Sequence, residues 1–350
     1  MRSPWMHTLL SFLTLGLVSL GALACSSENA GAPPPAPVDW HAFDVPHGPV
    51  AVLPGPTLRE RAVAEAYVTV LSSADLGTLT PHLADDSRFV FPGLNDARGK
   101  TAVVQAHQTL FGAFEKRAMA ITRLWRTDSV QALEWTMSGV QTRDFMGLAP
   151  TNKPVTFRGL TVLYTKDDGT ITELHAYFDV AVVKAQLGVG PKELLALAPA
   201  APTGGAPQEF ESTHSPDEAR NVAAGRAMLD ALEKNDDAAF TATMTDDVVV
   251  ETLERPQPMH GREEMKAYFK GLHRTIAQLD TTVDNSLGAG RFAVVEYFIA
   301  GEQIAPMGWI PAQRDKVIRM QVVDVMEIRD GKVAHVWRYD NPSQITVPGL

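Results

Sequence analysis

Residues 134–179 read EWTMSGVQTRDFMGLAPTNKPVTFRGLTVLYTKDDGTITELHAYFD. Residues 296–341 read EYFIAGEQIAPMGWIPAQRDKVIRMQVVDVMEIRDGKVAHVWRYDN. Laid over each other, Glu134 meets Glu296, Gly139 meets Gly301, Met146-Gly147 meets Met307-Gly308 and Pro150 meets Pro311. Beyond them Gly169 meets Gly331 and Tyr177 meets Tyr339. Each stretch is two or three period-two or continuously apolar segments separated by turn residues, the mark of antiparallel strands. The repeat unit exceeds a hundred residues, so this is a duplicated domain and not a solenoid built of ~20–50-residue units.

Working outward, each copy opens with helical spacing. Val63, Tyr67, Val70 and Leu71 form one apolar stripe, a short helix follows over 76–83, and residues 99–113 carry Val103, Leu110 and Phe111 on one face. In the second copy Ser215, Pro216 and Glu218 make a capping box with proline at the first helical position. Val222, Leu229 and Leu232 follow it as the stripe. Asp85-Asp86 and Asp246-Asp247 turn into equivalent strands. The remaining strands are expected at about 119–126, 130–141, 155–165 and 171–180, then 279–285, 291–302, 316–328 and 332–340. Helices followed by a curved, mostly antiparallel sheet make an α+β domain. The expected boundaries are domain 1 over 57–186, a Pro/Ala/Gly-rich linker over 187–214 with little to pack, and domain 2 over 215–345.

The chain has 350 residues, 45% apolar and 21% charged, with a net charge of −10. That is ordinary for two globular domains, and the negative surface speaks against nucleic acid as a partner. Arg2 followed by the apolar stretch Leu9 to Leu23 reads as a signal peptide, too short for a comfortable membrane-spanning helix. Cys25 is the single cysteine, so no internal disulfide can form and the cores must hold the fold. Residues 25–56 are a polar, proline-rich tether.

Two resemblances follow from these residues. Ala22-Leu23-Ala24-Cys25 resembles the lipobox of bacterial lipoproteins, with Ala22 where that family more often has Leu. This implies cleavage after residue 24, lipidation of Cys25, and export to the cell envelope, held to the membrane through a lipid anchor alone. A plain secretory signal is the other reading. Both copies resemble the SnoaL-like branch of the NTF2-like superfamily, each a cone-shaped α+β barrel of three helices on a curved sheet. In copy one the pattern of the branch labelled ester cyclases is carried by Trp135-Thr136, Gly139, Phe145-Met146-Gly147, Pro150-Thr151, Lys153, Gly159, Asp168-Gly169, Glu173, His175, Tyr177 and Asp179. Copy two keeps the architecture and matches that pattern less well. The resemblance covers about 57–186 and 216–345, and implies a fold that hosts cyclases, isomerases, dehydratases and non-catalytic members alike. Single domains of this kind commonly pair through the outer face of the sheet, which implies an internal pseudo-dimer here.

The candidate chemistry lies at the end of the repeat. Glu173, His175, Tyr177 and Asp179 alternate along one strand and share a face. If that face lines the cone, the resemblance places proton transfer on Asp179, with His175 beside it, and Tyr177, Tyr164, Trp135 and His107 as substrate contacts. If the face is outward or against the other domain, these residues are solvated or paired. By position, Trp337 replaces His175 and Asn341 replaces Asp179, and asparagine carries no titratable proton. Copy two is therefore expected to be degenerate or binding-only, unless Asp340 serves after a bulge. Asp324, aligned with Val162, is its best acid, with Trp337 as a further contact. His107 sits on an apolar helical face where copy two has Phe269, as core residue or ligand contact. Trp125, Trp135 and Trp309 read as wall or core. Glu134 and Glu296 are best read as the polar outer face of their strands.

No HExxH, glycine-rich phosphate loop or GxSxG occurs, and Cys25 offers no thiolate site within the domains. The expectation is a cofactor-free cavity for a small apolar molecule. It serves either proton abstraction beside a carbonyl followed by cyclisation or isomerisation, or binding without catalysis.

Overall fold

The computed structural model describes residues 58–202, 205–308, 310–312 and 316–346. Cys25, the leader, the tether and Trp309 lie outside the described residues. Domain 1 runs α1 (Leu58–Ser72), a 3-10 turn (Leu76–His82), β1 (Leu83–Val90), β2 (Ala97–Arg98), α2 (Lys100–Leu110), β3 (Phe114–Arg126), β4 (Val130–Gln141), β5 (Pro154–Thr165), β6 (Ile171–Tyr177) and α3 (Val180–Leu187). A 3-10 turn (Lys192–Leu197) and β7 (Gln208–Glu211) follow. Domain 2 runs α4 (Pro216–Glu233), α5 (Asp237–Ala242), β8 (Met244–Thr252), β9 (Met259–His260), α6 (Gly261–Thr275), β10 (Ile276–Ala289), β11 (Phe292–Gln303), β12 (Val317–Arg329), β13 (Lys332–Asp340) and a last 3-10 turn (Pro342–Thr346).

The sheets have the orders β2-β1-β6-β5-β4-β3-β7 and β10-β11-β12-β13-β8-β9. They are antiparallel except for β1 on β6, β8 on β13, and β7 on β3. Each concave face is covered by its own helices and holds its own core. The linker is more ordered than its composition suggests. Leu194 is buried against Ala181, Val182 and Ala185 of α3, and β7 adds an edge strand to domain 1. The Ser215 capping box is formed, and Glu218 also accepts from the backbone N–H of Thr213 and Gly290, tying the start of α4 to the linker and the β10–β11 turn.

Two shared features shape the curvature. A Cβ on Gly301 would lie 2.3 Å from Ile276 Cγ2, so only glycine lets β11 bend this tightly over β10. Gln141 and Gln303 reach from equivalent positions into the following loops, donating to the carbonyls of Leu148 and Ala149 and to those of Ala305 and Pro311.

The backbone corrects the overlay of the two copies. Pairing sets Glu134 opposite Leu160, and Leu160 opposite Tyr177; it sets Glu296 opposite Val323, and Val323 opposite Tyr339. The equivalent of Asp324 is therefore Thr161, not Val162. The cause is the connection between those strands: five residues, 166–170, lie between the pair Thr165 and Ile171, and four, 329–332, between the equivalent pair Ile328 and Val333. The Met-Gly turns also slip by one, since the matching bridges are Phe145 with Leu148 and Met307 with Ile310.

The outer faces of the two sheets meet in a shared apolar layer. Trp125, Val130, Leu160, Val162 and Tyr177 pack there with Phe292, Val294, Val323, Val325 and Tyr339.

Candidate active site

The strand ending domain 1 does not turn its titratable side chains into the cone. Leu174, Ala176 and Phe178 point inward, so by strand alternation Glu173, His175 and Tyr177 point at domain 2. There they converge on Glu296. His175 Nδ1 lies 2.8 Å from Glu296 Oε1, the Tyr177 hydroxyl donates to the same oxygen at 2.7 Å, and the Tyr164 hydroxyl donates to Oε2. His175 Nε2 lies 2.7 Å from Glu173, which Arg88 also holds. Burial disfavours the imidazolium, but Glu296 and Glu173 more than overcome it and push its pKa up to about 10. The reciprocal contact is Tyr339, donating to Glu134 Oε1 at 2.5 Å, with Arg123 paired to Glu134 in the same domain. Glu134 and Glu296 are thus outer-face residues of their own strands and buried between the domains. Trp337 also faces this layer. Its indole N–H donates to Glu251, and the Arg123 guanidinium lies 3.9 Å above its ring.

The cone of domain 1 is filled. Phe91, Phe111, Trp135, Phe157 and Phe178 are at most 2% exposed and pack ring against ring, and Phe89, equally buried, packs on the His107 ring. Gly159 makes room for Trp135: a Cβ there would lie 2.5 Å from the indole. The Trp135 N–H donates to Thr161. His107 is enclosed, with Nδ1 2.8 Å from the Val103 carbonyl oxygen and Nε2 3.2 Å from the Tyr67 hydroxyl. Burial lowers its pKa to about 4, so it is a neutral core histidine at neutral pH.

At the same positions domain 2 carries a polar network. Tyr297 stands where Trp135 does, Asp324 where Thr161 does, Arg338 where Ala176 does and Asp340 where Phe178 does. Arg338 grips Asp324 with two bonds, Nε to Oδ1 at 2.9 Å and Nη2 to Oδ2 at 2.8 Å. Such a fork-on-carboxylate pair fixes both side chains. Nη2 also donates to the Tyr297 hydroxyl at 2.8 Å, and Tyr297 donates to Asp324 Oδ2 at 2.9 Å. Arg338 Nη1 donates to the Tyr268 hydroxyl of α6. Burial disfavours the guanidinium, yet Asp324, Tyr268 and Tyr297 hold its pKa well above the ordinary value, so it stays charged.

Tyr268 is the member of this network that also lines a cavity of about 670 Å³, walled by α6 and by the segments around Met259 and Met307. Met259, Leu272, Met307 and Ile310 supply apolar wall, and Glu254 lines the rim. Arg338 pairs with Thr252 at the end of the parallel strand β8, and Glu254 follows in the turn beyond it, where its charge reaches Asp340. Burial raises the pKa of Glu254, with Arg338 and Arg255 opposing. Burial raises Asp340 well above the ordinary carboxylate range, and the charges of Glu254 and Asp179 add to this. Asp340 Oδ1 is buried without a hydrogen-bond partner.

Asp179 lies past the end of β6, not on its face. Its Oδ1 caps α3, accepting from the Ala181 N–H at 2.7 Å, while Oδ2 is buried without a partner. Burial and the charge of Glu254 raise its pKa to about 7, against the cap hydrogen bond. Among the described residues no group of three or more His, Cys, Asp or Glu side chains could hold a metal ion.

The structure therefore brings together one residue singled out in the sequence, Asp324, with Tyr297, Arg338, Tyr268 and Glu254, which sequence reading passed over. Asp340, read there as a fallback, joins them. The signal was present in Glu296 and Tyr339. Once these are outer-face residues, strand alternation turns Tyr297, Arg338 and Asp340 inward.

Residues 61–187 match the SnoaL-like polyketide cyclase family and residues 225–336 match the SnoaL-like domain family. Similar solved structures include a protein described as a SnoaL-like polyketide cyclase from Jannaschia sp. CCS1, with 21% identity, 39% of this chain and 99% of that one covered, and a TM-score of 0.35. TsrD from Streptomyces laurentii is similar at 23% identity, 36% and 91% coverage and a TM-score of 0.33. An LEH-like epoxide hydrolase from M. tuberculosis is similar at 17% identity, 37% and 90% coverage and a TM-score of 0.32. No curated protein matches the chain.

Proposed function

Starting from two SnoaL-like domains in tandem, we propose that the second is a cofactor-independent acid–base site for a small, largely apolar carbonyl compound and the first is its structural mate. One observation carries the reading. Four equivalent cone positions hold Trp135, Thr161, Ala176 and Phe178 in domain 1 but Tyr297, Asp324, Arg338 and Asp340 in domain 2, beside a cavity.

The roles follow from what each side chain can do. Glu254, at the rim with its pKa raised, is the group to take a proton from carbon next to the carbonyl. The Tyr268 hydroxyl accepts from Arg338 and so keeps its own proton to donate to the oxygen that becomes negative. Asp324 holds Arg338, and Arg338 holds Tyr268. Glu254 returns the proton to the product, and Asp340, raised by the charge of Glu254, stays the neutral neighbour that leaves the negative charge on Glu254. Cyclisation or isomerisation is the outcome such an enolate permits. The seat of chemistry thereby moves from the Asp179 strand of domain 1 to the cone of domain 2. The cross-domain contacts support reading the pair as an internal pseudo-dimer, and the lipobox-like leader supports export and anchoring through Cys25.

The test is exchange of the α-hydrogens of a panel of cyclic β-keto esters and enones into D2O, followed by NMR with the intact chain. Wild type should accelerate exchange for at least one member, and Glu254→Gln and Tyr268→Phe should each lower the rate by ~100-fold or more. Exchange unchanged in both variants would overturn the roles assigned here. The methionine-rich wall, Met259 and Met307, favours a second reading as an adaptable apolar binder. It would be supported by a co-purifying ligand that no form of the protein converts.

A further inference from the structure

Asp179 belongs to domain 1, yet it abuts the working end of domain 2. Its chain neighbour Val180 donates its N–H to Asn341 Oδ1 at 3.3 Å, and Asn341 is the neighbour of Asp340. Asn341 is anchored from its other side by donating to the Pro92 carbonyl at 2.7 Å. The bond joins the residues next to the two carboxyls across the domain junction. Both are buried, Asp179 at 3% and Asp340 at 6% exposure, and each keeps one oxygen without a partner. The charged groups around Asp340 are Glu254 in the turn after β8, Arg338 on its own strand, Asp324 on β12 and Asp179 at the start of α3. Arg338 is already engaged by Asp324. Asp340 therefore faces more negative charge than positive.

We propose that Asp179 is a positioning residue for the domain 2 site: its carboxylate, set against the end of β13 by the domain junction, keeps Asp340 protonated and so leaves Glu254 to carry the negative charge and act as base. This rests on the reading of Glu254 and Asp340 given above. The electrostatics run the same way. Asp340 feels the charge of both Glu254 and Asp179, and Asp179 feels that of Glu254. Burial raises all three carboxyls, and the charge of Asp179 adds to that of Glu254 in holding a proton on Asp340. Domain 1 thereby takes part in the site despite its filled cone.

The experiment needs no substrate. The full chain, with its aspartate carboxyl carbons labelled with 13C, is titrated by infrared difference spectroscopy and carbon NMR. A protonated aspartic acid persisting above neutral pH and absent from Asp340→Asn is the Asp340 signal. In Asp179→Asn and Asp179→Ser, which still cap α3, its midpoint should fall by about one pH unit. In Asp179→Glu, which keeps the charge, it should stay near the wild-type value. A midpoint unmoved in both neutral variants overturns the proposal while leaving the exchange assay to decide the function. A midpoint that moves equally in Asp179→Glu makes the effect one of packing and overturns it as well. Absence of any signal removed by Asp340→Asn overturns it at the first step.

Discussion

The two cones share a backbone and differ in what fills it. In domain 1 the indole of Trp135 lies across Gly159 and meets a cluster of phenylalanines, so its polar needs end at one hydrogen bond to Thr161. In domain 2 a tyrosine replaces that tryptophan, and an Asp–Arg pair stands where a threonine and an alanine stood. An aromatic core stabilises through area removed from water and dense packing. A buried ion pair contributes little net stability, because desolvation opposes the attraction. On the function proposed above, duplication lets one copy keep an aromatic core while the other carries the charge that acid–base chemistry requires.

The largest expected effect breaks this contrast directly. Arg338→Met leaves Asp324 buried with no cationic partner and should destabilise the protein by ~3–5 kcal/mol. Thr161→Val, at the position equivalent to Asp324, leaves the buried Trp135 N–H without its acceptor and should cost ~1–3 kcal/mol. The double change Asp324→Thr with Arg338→Ala installs the domain 1 residues and should recover much of the Arg338→Met loss, because the Asp324 carboxylate is no longer stranded. Urea midpoints of the four proteins decide it. An Arg338→Met loss no greater than that of Thr161→Val would mean the two cones are equally tolerant, and the contrast would fall.

The next effect sharpens the domain junction. Asp179 has its folded-state pKa raised from 3.8 to about 7. A carboxyl raised in this way holds its proton more tightly folded than unfolded, so its contribution to stability falls as pH rises from about 4 to about 7. Asp179→Asn keeps the helix cap and cannot ionise. It should therefore be more stable than wild type at pH 7, by at most ~4 kcal/mol, with the gain shrinking to near zero by pH 4. A variant less stable than wild type at pH 7 would show that the carboxylate is paired in solution, contrary to its geometry.

Most of the fold was legible because its signals are local and written twice: alternating strands, the capping box at Ser215, and the paired glycines. The site was not legible, for a physical reason of one residue. The longer turn at 166–170 shifts β5 against β12, so a gap-poor overlay sets Asp324 beside Val162 and hides its partner Thr161. On a strand, one residue is the difference between cone and outer face. The same rule decides Glu173, His175 and Tyr177, whose spacing fixes that they share a face but not which one. Tyr268 and Glu254 come from a helix and a loop remote in sequence, and only the closure of the sheet brings them to Arg338 and Asp340.

The smallest effect tests the reciprocity of the two outer faces. Tyr177 and Tyr339 occupy equivalent positions and donate to Glu296 and Glu134 respectively. Each Tyr→Phe change removes one hydrogen bond to a buried carboxylate and should cost ~1.5–3 kcal/mol at pH 7. The two sites differ in the cation that balances the carboxylate. Glu134 is held by Arg123 of its own domain, which stays charged; Glu296 is held by His175 of the other domain. The His175 pKa is raised to about 10, so the stability it contributes is complete below about pH 6.5 and lost as pH rises through about 10. Once that imidazolium is neutral, Glu296 depends on Tyr164 and Tyr177 alone among the donors to it described above. Urea midpoints at pH 7 and pH 10 should therefore show Tyr177→Phe growing more damaging with pH while Tyr339→Phe holds steady. Equal responses would mean that the histidine carries no charge at neutral pH, and that the two faces are alike in energy as well as in backbone.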